Sequence, residues 1–269
     1  MTILITGATG LVGERLVPRL VEAGFTCRVL LRPGKRAPAN VEVVTGDILD
    51  VSTLEQAAQG LSAVIHLAAV FRTQDMDMIW KSNLDGTRNL IAAIKAHAPE
   101  ARFIMASTAH VYSIDNSHPG REDDVVNPQH AYPASKLAAE RELRASGLTW
   151  AVLRFPFVYG DGDGHLEALP GHIGTWHPAQ RMSTIHHQDI ATAMHMALDG
   201  AMDGRVVNIA DDATMSVYEL VGVTGAKVPS SSVPLPNPWY LTMDVSLARS
   251  LGFTPVVSTV YEAQRNGLI

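Results

Sequence analysis

Residues 2–13, TILITGATGLVG, constrain the fold more than any other stretch of the chain. Five residues of β character, Thr2 to Thr6, run directly into Gly7, Gly10 and Gly13, three apart, and an amphipathic segment opens at Leu11. A strand, a tight glycine turn and a helix N-terminus in that order make an anion site. Backbone N–H groups and the helix dipole point at the ligand, and absent side chains let a pyrophosphate approach. Gly7, Thr9, Gly10, Leu11, Val12 and Gly13 are therefore the expected phosphate contacts. A P-loop is excluded, because Glu14 follows Gly13 where that loop needs Lys and then Ser or Thr.

The rest of the first half alternates in the same style. A helix is expected at 11–23, kinked by Pro18, followed by strands at 26–31 and 41–45, a helix at 51–59 closed by Gly60, and a strand at 63–67. A long helical stretch, 75–97, contains Asn83. A strand at 102–106 leads into Ser107 and Thr108, a polar loop over the site fills 113–130, and a helix at 132–145 precedes a strand at 149–155. Strand and helix in regular alternation mean βαβ units and a parallel sheet. The expected fold is α/β, a Rossmann-type doubly wound parallel sheet over residues 1–155. A smaller substrate-binding region, 156–269, is expected to be partly interleaved with it. Residues 156–181 carry five glycines and three prolines and read as irregular, and the stretch 228–238 reads as loop. Short elements are expected in between and after: a helix at 188–198, a strand at 205–210 and helices near 216, 245–251 and 259–266.

Composition bounds the function. Hydrophobic residues at 46% supply a core, and a net charge of −6 argues against a nucleic-acid surface. The single cysteine, Cys27, falls in a strand and reads as a buried residue of a reducing compartment. No leader precedes the first strand and no apolar run reaches the ~18 residues of a membrane helix, so a cytoplasmic protein is expected.

The second strand ends where a dinucleotide fold meets the adenosine ribose. An acidic residue there binds the 2′-hydroxyl of NAD, whereas Arg accommodates the 2′-phosphate of NADP. This chain has Arg32, with Lys35 and Arg36 close behind and no Asp or Glu before Glu42. NADP is favoured and NAD is the alternative.

Tyr132 and Lys136, four apart at a helix start, share one face. A phenol near pKa ~10 is a poor acid/base at neutral pH, and a neighbouring ammonium draws it down toward the working range. The glycine turn, Ser107-Thr108 and Tyr132-x-x-x-Lys136 together resemble the extended branch of the short-chain dehydrogenase/reductase superfamily, the NAD-dependent epimerase/dehydratase family. The further matches are Thr108-Ala109-His110-Val111-Tyr112, the run from Arg154 through Pro156 and Val158 to Gly160, and His186-x-x-Asp189. By that resemblance Thr108, Tyr132 and Lys136 are the catalytic residues, with Thr108 ahead of Ser107 for the substrate oxygen. Asp47 and Ile48 flank the adenine, and Leu67, Ala68 and Ala69 line the pyrophosphate and ribose path. Asn83 stabilises the architecture, Lys136 binds the nicotinamide ribose, and Ser107, Pro156 and Val158 lie on the nicotinamide side.

Departures from the family narrow the reaction. Ala109 and His110 stand where the sugar-nucleotide dehydratases carry an Asp-Glu pair, so that dehydration is not expected. The expected activity is reduction of a ketone or aldehyde, or the reverse oxidation, with NADPH. The alternatives are a nucleotide-sugar epimerase with bound NAD and a non-catalytic NADP-binding regulator. His110, Arg181 and His186 are candidate substrate contacts. No metal is expected, since no Cys or carboxylate cluster accompanies the histidines at ligand spacing. The resemblance implies a homodimer through the helices at 75–97 and 132–145.

Overall fold

A computed structural model describes residues 1–173 and 176–269; Gly174 and Thr175, inside the stretch expected to be irregular, lie outside the described residues. In chain order the elements are β1 (Thr2–Thr6), α1 (Gly13–Glu22), β2 (Thr26–Leu31), β3 (Glu42–Thr45), α2 (Val51–Ala57), β4 (Ala63–His66) and α3 (Met76–Trp80). A π turn (Lys81–Asp85), α4 (Gly86–His97), β5 (Arg102–Thr108), a 3₁₀ turn (Ala109–Val111), α5 (Ala131–Arg144), β6 (Trp150–Phe155) and β7 (Phe157–Tyr159) follow. The chain closes with α6 (His165–His172), β8 (Arg181–Met182), β9 (Thr184–His186), α7 (His187–Leu198), β10 (Arg205–Asn208), β11 (Met215–Ser216), α8 (Val217–Val223), α9 (Ser246–Ser250) and α10 (Val260–Arg265).

Seven strands form one sheet in the order β10-β6-β5-β4-β1-β2-β3, with β1, β2, β3, β4 and β5 paired in parallel. The winding reverses between β1 and β4, which makes this the doubly wound Rossmann-type sheet that the alternation predicts. Ligands of such sheets bind outside the carboxyl ends of the strands at that reversal. The glycine turn therefore leaves β1 at the ligand-binding edge, and Thr6 stands level with His66 on β4.

The chain divides into two compact units whose segments interleave: 1–107, 128–153 and 194–206 in one, and 108–127, 154–193 and 207–269 in the other. The first is built on the apolar strands, with Leu4, Val64, Phe103, Leu54, Leu90, Ile94 and Leu143 in one buried cluster. The second has its own cluster, including Tyr159, Leu166, Leu169, Met182, Leu220 and Val260. Its two small sheets pair β7 with β9 in parallel and β8 with β11 antiparallel.

Several local expectations are corrected. Helix α1 runs through Pro18, since Leu16, Val17 and Leu20 bury one face and hold the helix across the missing N–H. The stretch 75–97 is not one α-helix but α3, the π turn and α4 in succession. Strand β5 continues through Ser107 to Thr108. The stretch 156–181 contains β7 and α6. Gly164, left-handed at φ 68°, and Pro170 mask α6 in the sequence, while buried Leu166 and Leu169 anchor it. The polar loop 113–130 is fastened at several points: Gly120 bridges to Met243, and Asn237 donates to the carbonyls of Ile114 and Asn116. Cys27 is buried as expected, and burial pushes its thiol up to about 11.

The second unit holds a buried acid, Asp211, whose Oδ2 accepts from Thr184 and whose Oδ1 has no hydrogen-bond partner. Burial pushes its pKa up to about 8, against ~3.9 in an unfolded chain. The folded state therefore keeps the proton that the unfolded state releases first. The resulting stabilisation is complete below pH ~4 and is lost as pH rises through about 8. Asp211→Asn is expected to leave the melting midpoint near that of the parent at pH 4–5 and to raise it at pH 8, by an amount worth a few kcal/mol on the order given by linkage. Equal shifts at both pH values in calorimetry would contradict this.

Candidate active site

The glycine turn is shaped by its own backbone at two of its three positions. Gly7 adopts φ +76°, and a Cβ there would lie 2.6 Å from the Ala68 nitrogen at the end of β4. A Cβ on Gly13 would lie 2.2 Å from the Gly7 carbonyl oxygen, so α1 packs against the turn only through glycine. At Gly10, which is exposed, a Cβ would meet nothing nearer than the Gly7 oxygen at 3.3 Å. Helix α1 has Val12 at its N-cap and no side-chain cap, while the Glu14 and Arg15 N–H groups bond back to the Gly10 and Val12 carbonyls. A pyrophosphate fits this cradle: an open approach at Gly10 and a helix N-terminus that no side chain caps are what an anion needs. Arg32, exposed at the end of β2, lies in the turn closed by the Lys35 N–H on the Arg32 carbonyl. Asp47 accepts from the Leu49 N–H. Ile48 is buried against Gly86, so only its backbone is left to face a ligand. Leu67, Ala68 and Ala69 form a half-buried strip after β4.

Behind the cradle runs a buried polar chain that the sequence reading missed. Thr87 Oγ1 donates to the Asn83 carbonyl at 2.6 Å and also lies 2.9 Å from His66 Nε2. A hydroxyl has one proton, so here Thr87 accepts from Nε2–H. The opposite nitrogen, Nδ1, then accepts from Thr6 Oγ1 at 2.7 Å, while Thr6 accepts the Ala68 N–H. Burial first and the neighbouring Lys136 second hold His66 well below the usual imidazole range, so it is neutral. The available signal was a histidine at the end of an otherwise apolar strand, since a buried polar residue is the informative one.

Asn83, in the π turn, has no exposure. Its Oδ1 accepts the Val70 N–H at 2.7 Å, and its Nδ2 donates to the Val70 carbonyl and to Ser135 Oγ. Ser135 in turn donates to the Tyr132 carbonyl. Asn83 thus ties the segment after β4 to the first turn of α5. That arrangement sets the Phe71 ring 5.6 Å from the Tyr132 ring. π turns occur often at functional sites, and this one turns Asn83 inward between two elements. One helical turn past Tyr132, Lys136 is only 2% exposed; burial pushes its ammonium down to about 8, and the Glu140 carboxylate draws it back up. Ser107 is buried and gives its hydroxyl proton to Glu140.

In the second unit Thr108 caps the 3₁₀ turn, its Oγ1 accepting the His110 N–H at 3.2 Å. That lone pair is engaged, and the hydroxyl proton is left to donate. Tyr112, of the Val111-Tyr112 step, donates to Asn208 and accepts from Arg154. Asn208 also holds the carbonyls of Gly120 and Asp244. Two motifs quoted for the resemblance are therefore bound into one brace. Val158 is buried, and its carbonyl is 2.7 Å from His165 Nδ1; Pro156 is half-buried. Arg181 is committed to Thr214, through the hydroxyl and the carbonyl. His186 is fully buried with Nδ1 accepting from Gln188 and Nε2 donating to the Leu268 carbonyl, so both nitrogens are used within the fold. Asp189 accepts from Val256 and Val257, and the His186-x-x-Asp189 motif thereby fastens the last stretch of the chain.

Residues 3–210 match the NAD dependent epimerase/dehydratase family. The chain belongs to that family. Its extended short-chain dehydrogenase/reductase fold accounts for the order of the glycine turn, Thr108 and Tyr132-x-x-x-Lys136. Among its relatives, a ceramide reductase of Caulobacter vibrioides is 33% identical over 202 residues, covering 71% of this chain and 59% of that protein. The matched stretch thus spans less than two thirds of that relative. A UDP-glucose 4-epimerase of Corynebacterium glutamicum is 26% identical, covering 95% of this chain and 91% of its own length. The UDP-glucose 4-epimerase of Thermus thermophilus, solved in complex with NAD, has the same fold, with a TM-score of 0.80, 24% identity and coverage of 98% and 97%. Members of this family include both reductases and epimerases, and the family is NAD(P)-linked. Among the described residues, no three His, Cys, Asp or Glu side chains are grouped to hold a metal ion, and no helix is long and apolar enough to cross a membrane.

Proposed function

We propose that this chain is an NADPH-linked carbonyl reductase, or the corresponding alcohol dehydrogenase. The observation that carries the reading is Tyr132 one turn before a buried Lys136, whose ammonium burial pushes down to about 8 while the Glu140 carboxylate draws it back up. A positive charge at that spacing favours the phenolate, which lets Tyr132 move a proton at neutral pH. Tyr132 gives its proton to the substrate oxygen, and Thr108 holds that oxygen with the hydroxyl proton that the His110 N–H leaves available. A bound dinucleotide supplies the hydride. Gly7, Thr9, Gly10, Leu11, Val12 and Gly13 would hold its pyrophosphate, Asp47 and Ile48 its adenine, and Leu67, Ala68 and Ala69 the path between. Ser107, Pro156 and Val158 would flank the nicotinamide, and Lys136 its ribose. A cytoplasmic homodimer belongs to the same reading.

Phe71, 42% exposed beside the Tyr132 ring and with the Arg72 guanidinium 5.1 Å from its centroid, sets an aromatic surface next to the phenol and favours a substrate with an apolar group near the reacting carbon. The similarity to a ceramide reductase points the same way. The competing reading is a nucleotide-sugar epimerase, favoured by the near full-length match to the Corynebacterium enzyme.

Purified protein is to be mixed with NADPH or NADH and a panel of ketones and aldehydes of increasing apolar length, following nicotinamide absorbance. Net NADPH oxidation that rises with apolar length is expected. Copurified NAD, sugar-nucleotide interconversion and no net redox change would instead establish the epimerase. Arg32→Ala is expected to weaken NADPH binding by roughly 10- to 100-fold, the loss of one charge-assisted phosphate contact, while NADH binding changes little. Equal losses for both cofactors would remove Arg32 and Lys35 from the 2′-phosphate.

A further inference from the structure

We propose that Glu140 is a positioning residue of this reaction, fixing the charge of Lys136 and, through Ser107, the end of β5 that leads into Thr108. The proposal rests on the Tyr132–Lys136 reading above and extends it to a residue outside that pair. Glu140 follows Lys136 by one helical turn, so the two share a face of α5. Both are buried, Glu140 completely. A carboxylate taken out of water is costly unless it is paired and hydrogen-bonded. Ser107 on β5 is one such partner, its Oγ donating to Glu140 Oε1 at 2.5 Å with both groups buried. One carboxylate therefore joins the strand that carries Ser107 and Thr108 to the helix that carries Tyr132 and Lys136.

Tyr132 and Glu140 share the helix face of Lys136, and His66 of β4 is coupled to it as well. His66 is neutral, held so partly by Lys136 itself. Of these three, Glu140 is the carboxylate, and it draws the Lys136 pKa upward against burial. Without that charge the ammonium gives up its proton at lower pH, and the assistance to Tyr132 goes with it. The Ser107 hydroxyl, directed at Glu140, helps to keep that carboxylate in place.

The test needs no substrate for its main readout. The chain has five lysines, Lys35, Lys81, Lys95, Lys136 and Lys227. Nitrogen-15 labelling of the lysine side chains, with Lys136→Met to assign the resonance, follows Lys136 alone through a pH titration of the full-length protein. Glu140→Gln keeps the shape and an acceptor for Ser107 but removes the charge. It is expected to move the Lys136 midpoint down by about 1 pH unit or more, and to move the alkaline limb of kcat by the same amount. Glu140→Asp should restore part of the shift, and Ser107→Ala should give a smaller shift in the same direction. An unmoved Lys136 midpoint in Glu140→Gln overturns the proposal even if kcat falls, since a purely structural role lowers activity without moving that limb. Should Glu140→Gln not fold, unmoved midpoints in Glu140→Asp and Ser107→Ala overturn it equally. Absence of turnover with every carbonyl would count against the reductase reading and leave the lysine titration to decide this one.

Discussion

Tyr132→Phe is expected to lower turnover by about 10³-fold, within the range for loss of a positioned acid/base group, while dinucleotide affinity stays within a factor of about two of the parent. The substitution keeps the ring and the backbone and removes only the hydroxyl. Tyr132 is fixed through its backbone carbonyl, which accepts from Ser135, and through its ring, which sits against Phe71. Phe preserves both. A fall in kcat with unchanged cofactor binding, measured by nicotinamide fluorescence, would thus report the missing proton donor. Retained turnover would take Tyr132 out of the chemistry, and with it the argument from the buried ammonium of Lys136.

The second large effect is on the fold. A methyl group at Gly13 would stand 2.2 Å from the Gly7 carbonyl oxygen and 2.7 Å from two backbone atoms of Ala8. None of these is the tip of a side chain that can swing aside. Helix α1 must move off the turn, or the turn must open, and the buried face of Leu16, Val17 and Leu20 moves with it. Gly13→Ala should therefore destabilise by about 1–3 kcal/mol or more, the usual range for overpacking, with a midpoint loss on the order of 2–4 °C per kcal/mol. Gly10→Ala provides the contrast. Its nearest neighbour would be 3.3 Å away, a few tenths of an ångström from ordinary contact. The melting midpoint should barely change while dinucleotide affinity falls, because the added methyl occupies the space through which a pyrophosphate reaches the backbone. An unchanged midpoint for Gly13→Ala would show that the turn yields more easily than its backbone contacts imply.

These two sites were readable because their signals are local. The glycine turn needs its own spacing and the strand before it, and Tyr132 with Lys136 needs only the helical period. Strands β1 and β2 begin and end where the alternation puts them, at Thr2 and Thr6 and at Thr26 and Leu31. What the sequence reading did not reach depends on contacts between distant residues. His66 is informative only when Thr6, 60 positions earlier, and Thr87, 21 positions later, are seen on its two nitrogens. The π turn at Lys81–Asp85 depends on Asn83, buried there on Val70 and on Ser135, 52 positions later. Helix α6 is hidden by a glycine before it and a proline inside it, the two strongest breakers in any local reading. His186 and Arg181 matched a substrate-facing pattern by type and position. Their partners, Leu268 and Thr214, lie 82 and 33 residues further on. Nor could composition foretell that 113–130 would be fastened to residues beyond 236.

The line of protons from Thr6 through His66 and Thr87 to Asn83 has a consequence for descent as well as for structure. Thr6, His66 and Thr87 are each both giver and receiver and the Asn83 carbonyl ends the line, so changing one of the three alone strands a buried polar atom at a cost of about 1–3 kcal/mol, whereas replacing all three by apolar groups of matching shape leaves the Ala68 N–H as the donor that loses its acceptor. Positions 6, 66 and 87 are then inherited as one character. Lineages should differ at all three or at none, and a chimaera cut between residues 6 and 87 from parents that differ would inherit a mismatch in its interior that neither parent had.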